Sequence, residues 1–310
     1  MGGTGKSVVV AFLVRTLRAQ HSAIVLRGYG GLGEKSKHSL LVSDGRTVLV
    51  TRQQSGDEAM MHARALNVPV VVGKNRAQSC LLLESRARDG KYHIDYVILD
   101  DAYQNFDVQK NCEILLLDGR APFDNGHCLP VGRLRETDYH RADIIIITHA
   151  NMLSQTQRLH IRQTLLHDFD KDHIFMGAHV PHGIFYHNQT PVQTDDLKDK
   201  RFFVCAGVGS FSGVLASVKQ CGVIIGDSIQ FGDHHEYTIR DIKKIIDGAQ
   251  MHHCDGIVTT AKDWVKLEPL LSQCVEWRLF PWHVLRVEFE FLSSHEYDNF
   301  MNVLRHMLEK

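Results

Sequence analysis

Met1-Gly2-Gly3-Thr4-Gly5-Lys6-Ser7, running directly into Val8-Val9-Val10-Ala11-Phe12-Leu13, is the stretch that decides the fold. The glycines around Thr4 let successive backbone N–H groups turn to one side and cradle an anion. Lys6 adds a compact positive charge for the β and γ oxygens, and the Ser7 hydroxyl suits a Mg2+ ion. The apolar run behind them reads as a helix whose N-terminus adds its own favourable potential. This is the second half of a Walker A loop, so Gly2, Gly3, Thr4, Gly5, Lys6 and Ser7 are expected to hold the phosphates of ATP. The competing reading is a glycine-rich tail, for which Lys-Ser at the mouth of an apolar helix has no purpose.

A phosphate loop of this kind needs an acidic partner at the end of a neighbouring apolar strand, to hold the metal directly or through water. Tyr96-Val97-Ile98-Leu99-Asp100-Asp101 supplies it, which makes Ser7, Asp100 and Asp101 the candidate metal residues. An Asp-rich turn is the plainer alternative for that string taken alone. A strict Walker A pattern also asks for one residue ahead of Met1 and a strand before that, so the expectation is a start placed downstream of the true one, or a truncated chain.

Outward from the loop, short runs rich in Val, Ile and Leu alternate with helix-length amphipathic stretches, the pattern of a parallel α/β sheet covered on both faces. Candidate strands are 23–26, 69–72, 96–99, 113–117, 143–148, 202–206, 222–225, 256–259 and 284–291. Residues 39–42 and 47–51 flank Asp44-Gly45 and read as a hairpin. The polar region around Asn188-Gln189-Thr190-Pro191, closed by the charged run 195–201, reads as a linker. The expected organisation is therefore a P-loop NTPase-like parallel-sheet domain over 1–182, a linker over 183–201 and a second, smaller α/β domain over 202–310.

Composition removes several function classes. A formal net charge of -1 supplies no global basic field, so no nucleic-acid partner is expected. Seven cysteines with no CxxC pair read as reduced thiols. No apolar run approaches the roughly 18 to 20 residues that cross a bilayer. A zinc site built from Asp233, His234, His235, His252, His253 and Cys254 is disfavoured, because the spacing fits no standard ligand pattern.

Eight strings, in order, resemble the tetraacyldisaccharide 4'-kinase family, the lipid A 4'-kinases of Gram-negative bacteria. They are GGTGKS at 2–7, RGYGG at 27–31, SGDEA at 55–59, VVVGKNR at 70–76, LDDAYQN at 99–105, LPVGRLRE at 129–136, FGDHHEY at 231–237 and TTAKDWVKL at 259–267. The resemblance implies transfer of the ATP γ-phosphate to the 4'-hydroxyl of the lipid A disaccharide 1-phosphate, giving lipid IVA, at the cytoplasmic face of the inner membrane. It also implies a membrane-associated helix and a first strand ahead of the phosphate loop.

Residue by residue, the resemblance places Asp57 at the family's catalytic acid position and His234 at its histidine partner. A carboxylate that fixes an imidazole tautomer and a ring that accepts a hydroxyl proton make chemical sense together. The plainer readings are a helix N-cap for Asp57 and a core or capping role for His234, with His235 an alternative and Asp233 able to orient either ring. Arg135 and Glu136 match a pair near the nucleotide or the acceptor phosphate; an exposed ion pair is an equal alternative. Arg27 follows a strand at the end where such sheets bind ligands. Lys262 and Asp263 lie in a strand-to-helix turn with no assigned task, and Lys266 reads as a solvated helix residue. The chain departs from the family at Ala102 and at Asn105, where a histidine is usual. Two other readings remain open: a P-loop enzyme acting on a soluble substrate, and an inactive nucleotide-binding paralogue.

Overall fold

A computed structural model describes every residue except 1–4, 18–20, 124–127, 129–138, 168, 187–189, 274–279 and 310. Helix α1, Lys6–Thr16, leaves the phosphate loop and buries Val9, Val10, Leu13 and Val14. Then follow β1 (Ser22–Leu26), β2 (Leu40–Asp44), α2 (Arg52–Ser55), α3 (Asp57–Ala65), β3 (Pro69–Val72), α4 (Arg76–Arg88) and β4 (Tyr96–Leu99). The middle of the chain supplies β5 (Ile114–Asp118), β6 (Ile144–Thr148), α5 (Gln155–Leu165), β7 (Ile174–Tyr186) and α6 (Thr194–Leu197). The last third contributes β8 (Arg201–Ala206), α7 (Phe211–Gln220), β9 (Ile224–Gln230), α8 (Ile239–Met251), β10 (Gly256–Thr260), α9 (Ala261–Leu271), β11 (Trp282–Phe291) and α10 (Ser294–Leu308).

The strands lie in two sheets. One has the order β2-β3-β1-β4, with β1 parallel to β3 and β4 and only β2 antiparallel. The other runs β5-β6-β7-β11-β10-β8-β9, parallel throughout except where β7 meets β11. Fully apolar strings such as Ile144-Ile145-Ile146-Ile147 are completely buried because helices cover both faces. The expected mixed α/β architecture with parallel-rich sheets is what forms, and each of the nine candidate strands outside the expected hairpin has a counterpart. The string 222–225 is the one displaced: Gly222 and Val223 lie in the turn, and the strand runs from Ile224 to Gln230.

Two local readings are corrected. Asp44-Gly45 does turn the chain, and the Asp44 carboxylate accepts from the Arg46 and Thr47 amides. The second hairpin strand does not follow: β2 pairs with β3 instead, and only an isolated bridge, Ser43↔Val48, remains. β3 offers a fully buried apolar partner, whereas 47–51 is largely exposed. The 13-residue β7 is absent from the sequence reading, because Pro181, Gly183 and its histidines disguise it.

β7 carries the chain across position 182 as one strand. Its start is parallel to β6, and from Gly177 onward it is antiparallel to β11, so strands from both sides of the expected linker share one sheet. β11 and the segment after it also return: Phe289 of β11 and Phe300, Met301 and Leu304 of α10 pack with Val9, Leu13, Ile144 and Ile146 in one apolar cluster. α10 is fastened there by Glu296, whose Oε1 accepts from the Met176 amide at 2.7 Å and from Arg162 at 3.1 Å.

Candidate active site

The carboxyl ends of β1 and β4, the N-termini of α1 and α3, and the N-terminus of α9 converge on one cleft, where open α/β sheets place their ligands. Gly5 has φ 75°, a left-handed conformation that glycine tolerates and that turns the loop into α1. Lys6 Nζ lies 3.6 Å from Asp101 Oδ1, so the phosphate loop meets the acidic strand end directly. Asp101 is itself held at φ 50°. Gly2, Gly3, Thr4, Arg135 and Glu136 lie outside the described residues.

Asp100 is 2 % exposed, and its Oδ2 lies 3.6 Å from the Nε2 of an equally buried His62, beyond hydrogen-bond range. The neighbouring Glu58 is raised in pKa, first by burial and next by the charge on Asp100, against the pull of Lys262 and Lys6. An orphaned carboxylate oxygen with a second carboxyl in its field is a donor set that a hard divalent cation completes. The residues therefore fit Mg2+, and Glu58 joins the group. Sequence reading passed over Glu58 although it stands beside Asp57 in the quoted string; an acid in the first turn of a helix looks like a dipole partner until the fold shows what it faces.

Asp57 is the first residue of α3, after Gly56 at the cap position, so the N-cap alternative does not hold. Arg52 NH1 donates to its Oδ1 at 2.9 Å, and Lys266 Nζ contacts its Oδ2 at 3.0 Å. Lys266 is 3 % exposed and also donates to the His235 carbonyl. The reading of Lys266 as a solvated helix residue is thus corrected: α9 packs on α3, and the cost of burying the amine is offset by its contacts with Asp57 and that carbonyl. Sequence spacing carried no sign of this, since the partners are 209 positions apart, by the numbering of the contact.

His234 stands at φ 59° on the far wall. Its Nε2 is 3.3 Å from Lys262 Nζ, which also donates to Asp233 at 3.2 Å. Burial opposes the charge on Asp233, but Lys262 outweighs it and holds the carboxyl below its ordinary range. His235 is committed elsewhere, to Asp241 at 3.2 Å and to the Phe231 face. Asp57 and His234 therefore share the cleft without a hydrogen bond between them. Asp263 acquires a task in the first turn of α9, beside the Thr260 cap: its Oδ2 accepts from Thr260 Oγ1 at 2.7 Å and from the Gly207 amide at 3.0 Å.

Basic residues frame the mouth. Arg27 Nε pairs with Glu34 at 2.7 Å and remains half-exposed. Arg76, 4 % exposed, donates to the Gly73 carbonyl at 2.7 Å, and burial followed by the charge of Arg27 lowers its pKa. Nothing in the string VVVGKNR singles Arg76 out; only its burial beside the acidic pair does. The six residues weighed for zinc do not gather, since His252 pairs with Asp227 at 3.0 Å. Among the described residues, the one trio with metal-ligand geometry is His21, His93 and Asp95, at the opposite, entry end of β1 and β4.

Residues 1–308 match the family model described as tetraacyldisaccharide-1-P 4'-kinase. The tetraacyldisaccharide 4'-kinase of Desulfatibacillum aliphaticivorans is 31 % identical over 306 residues, covering 97 % of this chain and 80 % of that protein. That of Geobacter metallireducens is 32 % identical over 279 residues, covering 88 % and 78 %. Among solved structures, the Aquifex aeolicus LpxK in complex with ATP superposes with a TM-score of 0.73 at 23 % identity, covering 99 % of this chain and 85 % of that one.

Proposed function

The chain belongs to the tetraacyldisaccharide-1-P 4'-kinase family, and on that premise we propose that it phosphorylates the 4'-hydroxyl of tetraacyldisaccharide 1-phosphate, the lipid A disaccharide 1-phosphate, with ATP, giving lipid IVA. The relatives share one activity name across nearly the whole chain, which favours this reading over a kinase of a soluble substrate or an inactive paralogue. The observation that carries it is the meeting of Lys6 with Asp101 in a cleft that also holds Asp57.

In this reading Gly2, Gly3, Thr4, Gly5 and Lys6 bind the ATP phosphates, with Arg135 and Glu136 beside the nucleotide or the acceptor phosphate. Ser7, Asp100 and Asp101, joined by Glu58, are the residues that would hold Mg2+. The cation, when bound, supplies charge neutralisation across the phosphates. Asp57 accepts the proton of the 4'-hydroxyl as the oxygen attacks phosphorus, and Arg52 and Lys266 hold its carboxylate in place for that task. His234 completes the wall on the acceptor side and receives or relays that proton. A tetraacylated sugar resides in a bilayer while ATP does not. The enzyme therefore works at the cytoplasmic leaflet of the bacterial inner membrane. No helix among the described residues is long and apolar enough to cross a membrane.

The test is transfer of label from γ-labelled ATP to tetraacyldisaccharide 1-phosphate in detergent micelles. Lys6→Ala is expected to abolish product, and Asp57→Ala to lower kcat by about 10²–10⁴-fold while nucleotide binding survives. Unchanged turnover in Asp57→Ala, or ATP hydrolysis indifferent to the lipid, would overturn the assignment.

A further inference from the structure

Three neighbouring strands carry, along one edge, polar groups that the reaction above does not use. Asp118 closes β5, His149 follows β6, and His179 lies on β7. The register Asp118↔Thr148 and Ile147↔Met176 brings all three to the carboxyl edge of the sheet. There they form a chain: Asp118 Oδ1 to His149 Nδ1 at 3.4 Å, and His149 Nε2 to His179 Nδ1 at 2.9 Å. Arg120 donates to Asp118 at 2.9 Å from behind. Burial opposes the charge on Asp118, but Arg120 and His149 outweigh it and keep the carboxyl well below its ordinary range.

The chain ends at the phosphate loop. A methyl group on Gly5 would run into the His179 ring, at Cε1 and Nε2, so the outer edge of that imidazole lies against the residue before Lys6. His179 Nε2 is buried and has no hydrogen-bond partner among the described residues. Leaving such an atom unsatisfied is costly, and a ligand is one of the few things that explains it. The backbone agrees: His149 sits at φ 55°, ψ 23°, strained for a non-glycine residue, and this conformation sets its ring between Asp118 and His179.

We propose that His179 is a nucleotide-binding residue, whose Nε2–H donates to a phosphate oxygen of the nucleotide held by the loop, with Asp118 and His149 as the positioning residues that orient its ring. The ligand class is a nucleoside triphosphate, recognised through its polyphosphate. Burial first, and then the nearby His149, lower the His179 pKa to about 4, so its ring is neutral at pH 7. The His149 Nε2–His179 Nδ1 bond can run in either direction; a phosphate oxygen at His179 Nε2 selects the one in which His149 donates to Nδ1 and the His179 hydrogen stands on Nε2. The proposal rests on reading Gly5, Lys6 and Ser7 as a phosphate loop.

The experiment measures the affinity of the full-length protein for a non-hydrolysable ATP analogue, for tripolyphosphate and for adenosine. His179→Asn keeps a group near Nδ1 but loses the one at Nε2, while His179→Gln reaches the Nε2 position. Asn is expected to weaken the analogue and tripolyphosphate about tenfold, the worth of one charge-assisted hydrogen bond, with adenosine and the unfolding midpoint unchanged. Gln is expected to recover most of the loss, and Asp118→Asn to give a smaller one. Wild-type affinity in His179→Asn overturns the proposal, as does an equal loss in Asn and Gln accompanied by a lower midpoint, which marks a packing role. A wild-type protein that binds neither the analogue nor tripolyphosphate overturns the phosphate-loop reading itself, and the His179 contact with it.

Discussion

At the scale of single residues, the cleft is a set of charges whose partners decide their behaviour. Lys266 and Glu58 were the hardest to read, because a lysine or a glutamate in a helix looks solvated until the helix opposite is known. Glu58 gives a pH-dependent test. Its raised pKa means that the native state still holds a proton which the unfolded chain has released, so stability falls as pH rises from the ordinary glutamate value of about 4.3 through the folded pKa. Glu58→Gln removes that cost. In metal-free protein it should raise the urea midpoint at pH 7.5 and leave it unchanged below about pH 4, where both forms are neutral. An equal gain at both pH values would assign the effect to packing instead. Of the other candidate site residues, Gly5, Lys6, Ser7, Asp100 and Asp101 stand in short strings with their own chemistry, whereas Asp57 and His234 were singled out by the family resemblance and not by their local sequence. Arg76 and His179 were not, because their meaning lies in burial and in neighbours from other strands.

At the scale of elements, apolar strands announced themselves and β7 did not. A strand buried on both faces needs uniform Val, Ile and Leu, and those strings mark β1, β3, β6 and β10. β7 changes partner part-way, from β6 to β11, and its sequence follows the change: apolar over Ile174-Phe175-Met176, mostly small, polar or proline residues from Gly177 to Gly183, and apolar and buried again at Ile184-Phe185. Gly177 stands at the change because a side chain there would overlap the Phe289 ring of β11. Gly177→Ala should therefore cost about 1–3 kcal/mol by overpacking, read as a lower urea midpoint at unchanged m-value. Combining it with Phe289→Leu should cost less than the sum of the two single changes, since the larger ring is what the methyl displaces. Additive losses would show that the two positions do not compete for the same space.

At the scale of the whole molecule, the two halves of the chain are joined by more than a tether. The β7–β11 pairing continues one sheet through both, α10 returns to pack on α1, and α3 meets α9 through Asp57–Lys266 and Arg64–Glu268. Such shared structure should make unfolding cooperative. The three tryptophans, Trp264, Trp277 and Trp282, all lie in the later half, so their fluorescence reports on that half alone. Its urea transition is expected to coincide with the far-ultraviolet circular dichroism of the whole chain; two separated midpoints would show that the halves unfold independently. The amino-acid sequence by itself determined the α/β class and the family, because both are written in contiguous residues whose chemistry is local. Only the tertiary structure decided that Lys266 secures Asp57, that Glu58 and Asp100 share a field, that His179 lies against Gly5, and that the chain's end returns to its beginning. The physical reason is that burial, desolvation and charge pairing depend on which distant segments the sheet brings side by side, and no local pattern encodes that distance.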